Sequence, residues 1–225
     1  RTCLMLTMVQ TNLKTTNLDA VIDTLLLQLK RDYPQAGPTY WANRCWALIY
    51  WQPIYLAVCS VHKHNGWMSF KEFQLVLDHQ STSENYILAS NEFNQAAHIT
   101  EISFLIKRQA FELMPLLEFY LARLKKRIPI NSINAWRLIA DCILLLLLET
   151  PTISKQYKLD YSQLWLKASE LFDRHGNPHS QLTDAANSGH TGLVLDRKSC
   201  CMHYLIEPKN PCNTCNKNSC KTRTR

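Results

Sequence analysis

Five of the nine cysteines in this 225-residue chain lie within 21 residues, at positions 200 to 220. They form an adjacent pair, Cys200-Cys201, then after ten intervening residues a Cys-x-x-Cys motif of Cys212 and Cys215, and finally Cys220. Thiolates bind zinc, copper(I) and iron–sulfur clusters, and a Cys-x-x-Cys turn offers two of them to one metal. In a chain that we expect in the cytoplasm, this crowding favours a metal centre over a disulfide framework.

The spacing of these cysteines discriminates among the kinds of centre. Adjacent cysteines are unusual in structural zinc sites, where Cys-x₂₋₄-Cys pairs are typical on both sides. A redox dithiol needs no Cys-Cys partner and is expected near a βαβ pattern, which the sequence lacks. An iron–sulfur cluster is therefore favoured, while zinc and a disulfide or incidental arrangement stay open. The remaining cysteines lie on apolar stretches and are predicted to be buried thiols, namely Cys3, Cys45, Cys59 and Cys142.

Positive charge is concentrated in the same part of the chain. Residues 197–225 contain seven Lys or Arg against one acid, Glu207, and so carry +6 of the formal net charge of +7. Such a segment suits nucleic acid, an anionic partner, or an anionic site within the protein. The aromatic residues lie elsewhere and do not alternate with the basic ones as base-stacking platforms require. We therefore expect no nucleic-acid partner.

Two segments of the chain carry a family resemblance. They are the C-terminal pattern Cys200-Cys201-x₁₀-Cys212-x₂-Cys215, with Asp196-Arg197-Lys198-Ser199 before it and Tyr204 after the pair, and the aromatic segment Tyr40-Trp41-Ala42-Asn43-Arg44-Cys45-Trp46 continuing to Trp51-Gln52-Pro53. The first resembles the terminal signature of the FhuF-type ferric-siderophore reductases, and the second is similar to that family's aromatic helix.

The resemblance implies a cofactor and a reaction. In that family the four cysteines corresponding to Cys200, Cys201, Cys212 and Cys215 bind a [2Fe–2S] cluster. The chain would then reduce a ferric siderophore, with hydroxamates favoured, by one electron and release Fe(II) in the cytoplasm. A ferredoxin or a flavin-dependent NAD(P)H reductase would supply the electron. Cys220 departs from the family pattern, and we predict that it is not a ligand.

Four residues close to the cysteines are predicted to contact the substrate or a partner: Arg197, Lys198, His203 and Lys209. Positive charge beside an anionic cluster favours its reduced state, and it attracts an anionic chelate or an acidic electron donor. The alternative interpretation is a binding module, in which the four cysteines form a zinc knuckle and the basic tail contacts nucleic acid or an acidic partner.

The composition predicts a mainly α protein with a small antiparallel β-sheet, of the α+β class, because glycine is scarce while leucine and long polar residues are abundant. We expect a helical body over residues 1–190, with a hairpin or small sheet near 67–90, and a cluster-binding segment over residues 191–225 packed on that body. The predicted helices run from Leu18 to Tyr33, Tyr40 to Cys59, Ile102 to Arg127, Asn134 to Glu149 and Tyr161 to Asp173. After Gln181, polar loop residues lead into Gly192-Leu193-Val194-Leu195-Asp196 and then into the cysteine-rich segment.

No transmembrane segment is expected. The longest apolar run, Ile143 to Leu148, is flanked by Asp141 and Glu149, and it is far shorter than the roughly 20 residues that a bilayer requires. A buried helix is predicted there, and the protein is expected in the cytoplasm.

Overall fold

A computed structural model of the chain describes residues 18–71, 73, 75, 93–95, 101–184 and 192–207. Five residues named in the sequence predictions lie outside these ranges, and they are Cys3, Lys209, Cys212, Cys215 and Cys220. Within the described residues the fold is mainly helical with two small antiparallel sheets, which confirms the predicted α+β class.

The described elements are five α-helices and four short strands. The helices are α1 (Leu18–Asp32), α2 (Gly37–His62), α3 (Ile102–Lys125), α4 (Ser132–Glu149) and α5 (Lys155–Ala168), and the strands are β1 (Gly66–Met68), β2 (Phe93–Gln95), β3 (Ser180–Asp184) and β4 (Leu193–Arg197). None of the described helices is long and apolar enough to cross a membrane.

Helix α2 is the centre of the fold because it is apolar on nearly every side. It packs against α1, α3 and α4, and the side chain of Trp46 is fully buried there. The indole Nε1 of Trp46 donates a 3.1 Å hydrogen bond to the carbonyl oxygen of Ala135 in α4, so the largest core side chain also has its polar atom satisfied. Pro53 lies inside α2 and does not split the helix.

Helix α1 follows the predicted amphipathic pattern and ends at Asp32, next to the predicted boundary at Tyr33. Its apolar face is buried, and its first turn is tied to α3 by charge. Asp19 accepts a 2.7 Å hydrogen bond from Nε of Arg123, and Nη2 of Arg127 lies 3.0 Å from the same carboxylate. These contacts fix α1 against the C-terminal half of α3.

The first sheet pairs β1 with β2, with Gly66 opposite Gln95. The predicted strand near Trp67 is confirmed, while its described partner begins at Phe93, beyond the predicted range. The rest of the predicted hairpin, around 86–88, lies outside the described residues. A Cβ at Gly66 would approach the carbonyl oxygen of Asn94 to 2.5 Å, so the close strand pairing requires glycine at this position.

The buried amide of Gln109 attaches β1 to helix α3. Its Oε1 accepts a 2.6 Å hydrogen bond from the backbone N–H of Met68, and its Nε2 donates to the Met68 carbonyl oxygen at 3.2 Å. The side chain therefore supplies the donor and the acceptor that a further strand would otherwise provide.

The second sheet was not expected, and the prediction of loop residues directly after Gln181 was wrong for residues 182–184, which belong to β3; residues 185–191 lie outside the described ranges. Strands β3 and β4 pair antiparallel, with Ser180 opposite Arg197, and both pack against α4. Helix α5 also differs from its prediction, since it begins at Lys155 and ends at Ala168. The chain leaves the helix because Glu170 adopts a positive φ of 52°, which a regular helix does not accommodate.

His62, the last residue of α2, is held neutral by its surroundings. Its Nε2 accepts a 2.9 Å hydrogen bond from the indole N–H of Trp165, and its ring lies 5.2 Å from that of Tyr161. Burial lowers the pKa of His62 from 6.5 to about 4. A proton on Nε2 would point at the N–H of Trp165 and break this hydrogen bond. The geometry and the lowered pKa therefore both indicate a neutral imidazole.

We predict that His62 makes the protein less stable in acid. Because its folded pKa of about 4 lies below the unfolded value of 6.5, the unfolded state binds more protons between these values. The free energy of unfolding should therefore fall by about 2–3 kcal/mol as the pH is lowered from 6.5 to 4. Urea unfolding across this pH range measures the fall.

The His62→Gln variant should lose most of this pH dependence, because glutamine can still accept from Trp165 and does not titrate. The control is His64→Gln, which changes an exposed histidine two residues away and should keep the wild-type slope. An unchanged slope in His62→Gln would contradict the assignment.

Candidate functional site

The adjacent cysteines begin three residues after the end of β4 and lie against the helical body. Cys200 and Cys201 are both half-buried, and neither forms a disulfide. The backbone of Cys200 is clasped by the side-chain amide of Asn134 in α4. Oδ1 of Asn134 accepts from the Cys200 N–H at 3.3 Å, and its Nδ2 donates to the Cys200 carbonyl oxygen at 3.3 Å.

The amide of Asn134 also links the cysteine pair to α2. Its Nδ2 donates a 2.7 Å hydrogen bond to Oδ1 of Asn43, and the Nδ2 of Asn43 in turn donates to the carbonyl oxygen of Thr39 at 2.7 Å. Asn43 is buried, and Asn134 is half-buried. The backbone at Cys200 is thereby fixed relative to both helices.

The approach to the cysteines is held by one buried carboxylate, Asp141 of α4, whose residue is only 4% exposed. Nε of Arg197 donates to it at 2.8 Å, and the hydroxyls of Ser180 and Ser199 both donate to it as well. A buried carboxylate needs such partners to offset the loss of its hydration. Asp141 therefore joins β3, β4 and the residue before Cys200 to a single point on α4.

Beyond the cysteines the chain turns sharply. Met202 has a left-handed backbone with φ of 61°, and a short 3₁₀ turn spans His203–Leu205. A left-handed conformation is unfavourable for a residue with a side chain. The Met202 side chain packs against the core, which offsets this cost and keeps the turn directly after the cysteine pair.

The predicted cationic residues each have a protein contact where the structure describes them. Arg197 is paired with Asp141 as described above. Nζ of Lys198 donates to the carbonyl oxygen of Pro178 at 2.9 Å, and Nε2 of His203 lies 3.6 Å from a carboxylate oxygen of Glu207. Their role toward a substrate or partner stays a prediction.

Sequence reasoning missed a cleft beside the cysteine pair. It has a volume of about 900 Å³ and lies between the first turns of α2, the end of α3 and the start of α4, and Met202 forms part of its wall. We call it the α4 cleft. Its polar lining includes Asn43, Asn134, Lys125 and Arg137. No sequence signal pointed to it, because its residues come from three helices that only tertiary packing brings together.

Two of the remaining described cysteines, Cys45 and Cys142, are poor candidates for ligands. Cys45 is fully buried, as predicted, while Cys59 and Cys142 are half-buried. Burial raises the pKa of the Cys45 thiol to about 12, and the pKa of Cys142 rises to about 12 for the same reason. The thiols of Cys45 and Cys142 therefore stay protonated at neutral pH, whereas a metal binds the thiolate.

The described part of the chain supplies half of the predicted ligand set. Among the described residues no three His, Cys, Asp or Glu side chains come together as a metal-binding group. Cys200 and Cys201 are soft donors, half-exposed and outside any disulfide, and these properties fit thiolate ligation. Residues Cys212 and Cys215 lie outside the described ranges. No protein-family model matches the chain, and no solved structure matches it either.

We predict that Asp141→Asn destabilises the fold by about 3 kcal/mol, because Arg197 is left buried without its counter-charge. The midpoint of urea unfolding should fall at an unchanged slope. The matched control is Asp184→Asn, which removes an exposed pair with Lys155 and should cost less than about 1 kcal/mol. Equal midpoints for the two variants would show that Asp141 does not hold the second sheet.

Proposed function

We propose that this protein is a ferric-siderophore reductase that carries a [2Fe–2S] cluster on Cys200, Cys201, Cys212 and Cys215. The observation that supports it most directly is the position of Cys200 and Cys201. Both residues are half-buried, and the side-chain amide of Asn134, beside the α4 cleft, holds the Cys200 backbone on α4. Cysteines used only for packing need neither feature.

The reaction needs one electron and no acid–base catalyst. When bound, a [2Fe–2S] cluster holds and passes one electron at a time. One electron from a ferredoxin or a flavin-dependent NAD(P)H reductase would convert Fe(III) of the chelate to Fe(II), so the donor is oxidised by one electron and the chelate gains one negative charge. Hard anionic oxygens hold the resulting Fe(II) less tightly, and the metal passes to softer ligands.

The chain's own residues would prepare the site for this task. Asn134 and Asp141 fix the segment that carries Cys200, which limits the movement of two ligands during electron transfer. Arg137 and Lys198 place positive charge near the thiolates, and Nη1 of Arg137 lies 3.4 Å from the Lys198 carbonyl oxygen. Positive charge close to an anionic centre favours its reduced form.

We predict that purified protein is reddish-brown and contains about two irons and two acid-labile sulfides per chain. The Cys200→Ser and Cys212→Ser variants should lose the visible absorption and the iron, because serine is a poor ligand for the cluster. Cys220→Ser should keep both and is the matched control. Colour, iron content and labile sulfide measure the outcome.

The metal content and the cysteine variants can also refute the proposal. A colourless protein with about one zinc, no iron and no labile sulfide would indicate the zinc-knuckle alternative. Iron retained in Cys200→Ser, or lost in Cys220→Ser, would refute the ligand assignment.

We also expect that dithionite-reduced protein is reoxidised by ferric siderophores. In a stopped-flow mix, the visible absorption of the oxidised protein should return at a rate that rises with chelate concentration. The gallium(III) complex of the same siderophore is the control, because Ga(III) cannot accept the electron. Reoxidation that is equally fast with both complexes would contradict siderophore reduction.

A further inference from the structure

The α4 cleft has the size and the position of a ligand site. Its volume of about 900 Å³ lies within the range of small-molecule pockets, roughly 300–1,000 Å³. Asn134 lines the cleft and clasps the backbone of Cys200, and Met202, the residue after Cys201, lines it too. A ligand in the cleft would therefore lie next to the cysteine pair.

The charged groups of the lining are all positive. Lys125 at the end of α3 and Arg137 in α4 both face the cleft, and no Asp or Glu lines it among the described residues. Among the described residues, the Arg137 guanidinium makes one hydrogen bond, a long one of 3.4 Å from Nη1 to the Lys198 carbonyl oxygen, and its buried Nε has no hydrogen-bond partner. Arg137 thus keeps donors that an anion can use.

The remaining lining suits the rest of an iron chelate. Thr39 and Asn131 line the cleft with an exposed hydroxyl and an exposed amide, while Ile130, Ile133 and Met202 add apolar surface. A siderophore complex combines oxygen-rich polar groups with aliphatic linkers. The polar groups can contact the polar lining of the cleft, and the linkers can contact its apolar lining. This mixture of apolar wall and a few placed polar groups is typical of small-molecule sites.

We infer that the α4 cleft binds the ferric chelate and selects chelates that carry net negative charge, with Arg137 and Lys125 contacting their free carboxylates. This inference rests on the proposed function for the identity of the ligand as an iron chelate. It adds the location of the site and a preference: a citrate-based dihydroxamate with free carboxylates should bind more tightly than a neutral trihydroxamate. In this inference Arg137 and Lys125 are residues that bind the chelate.

The test measures binding without turnover. Gallium(III) complexes of the two siderophore types are titrated into the purified protein by calorimetry, since Ga(III) copies the charge and size of Fe(III) and is not reduced. The anionic complex should bind at least about fivefold more tightly, and its affinity should fall between about 50 mM and about 300 mM sodium chloride because salt screens the attraction.

Variants assign the effect to the cleft. Arg137→Gln should weaken binding of the anionic complex about tenfold, because it removes a charge-assisted hydrogen bond. Lys125→Gln should weaken it about threefold, since Lys125 is exposed and exposed charges contribute less. The matched control is Lys126→Gln, an exposed neighbour that does not line the cleft, which should bind like the wild type.

Two outcomes would overturn the inference. One is equal affinity for the neutral and anionic complexes, and the other is wild-type binding in both Arg137→Gln and Lys125→Gln. Circular dichroism shows whether Arg137→Gln folds. If it does not, binding is measured instead with Lys125→Gln, which changes an exposed residue, and with Arg137→Lys. Arg137→Lys should bind the anionic complex more weakly than the wild type but more tightly than a variant without the charge.

The failure of this inference can be told apart from failure of the proposed function. Protein that lacks iron and labile sulfide but binds the anionic gallium complex through Arg137 would keep the cleft assignment and lose the redox step. Protein that carries the cluster and reduces ferric siderophores, but binds them independently of Arg137 and Lys125, would keep the proposed function and refute the cleft.

Discussion

The ion pair of Asp141 with Arg197 is the interaction on which the C-terminal half of the structure depends. A charge that is nearly inaccessible to water is tolerated only when its partners are in place, and here those partners come from β3, β4 and the residue before Cys200. The second sheet and the approach to the cysteine pair must therefore form together. The two strands are short, and a two-stranded sheet of this kind has little stability by itself. Packing against α4 therefore supplies the stability that the hydrogen bonds between the strands do not.

Two side-chain amides, one on α3 and one on α4, perform the same task. Gln109 satisfies the backbone of Met68 at the outer edge of β1, and Asn134 does so for Cys200, where no strand continues. Each amide offers one donor and one acceptor in the arrangement that a neighbouring strand would present. In this way irregular segments are fixed to helices without leaving buried backbone groups unsatisfied.

The cationic residues near the cysteines divide into two groups. Arg197 and Lys198 are engaged by the protein, through Asp141 and the Pro178 carbonyl oxygen. Arg137 and Lys125 face the α4 cleft. The sequence suggests the basic residues next to Cys200 as the charges that meet a substrate. In the structure, the positive charges that face the cleft belong instead to Lys125 on α3 and Arg137 on α4. Proximity in sequence to a ligand is thus a weak guide to which charges meet a substrate.

The sequence by itself determined the features that arise from local pattern. The spacing of apolar residues from Val21 to Leu29 defined α1 within one residue of its end, and the cysteine spacing defined the candidate ligands. The local pattern placed the end of α5 at Asp173, whereas the helix ends at Ala168. It ends there because Glu170 adopts a left-handed backbone, which the pattern of apolar residues does not reveal.

Only the tertiary structure decided the second sheet, the clasp on Cys200 and the α4 cleft. Ser180, Arg197 and the Cys200 backbone meet α4 across 39, 56 and 66 residues of chain. No short-range pattern records which donor a buried carboxylate or amide will receive over such distances, since that choice follows from packing. The polar partners of a site are therefore fixed by the fold, while its cysteines are visible in the sequence.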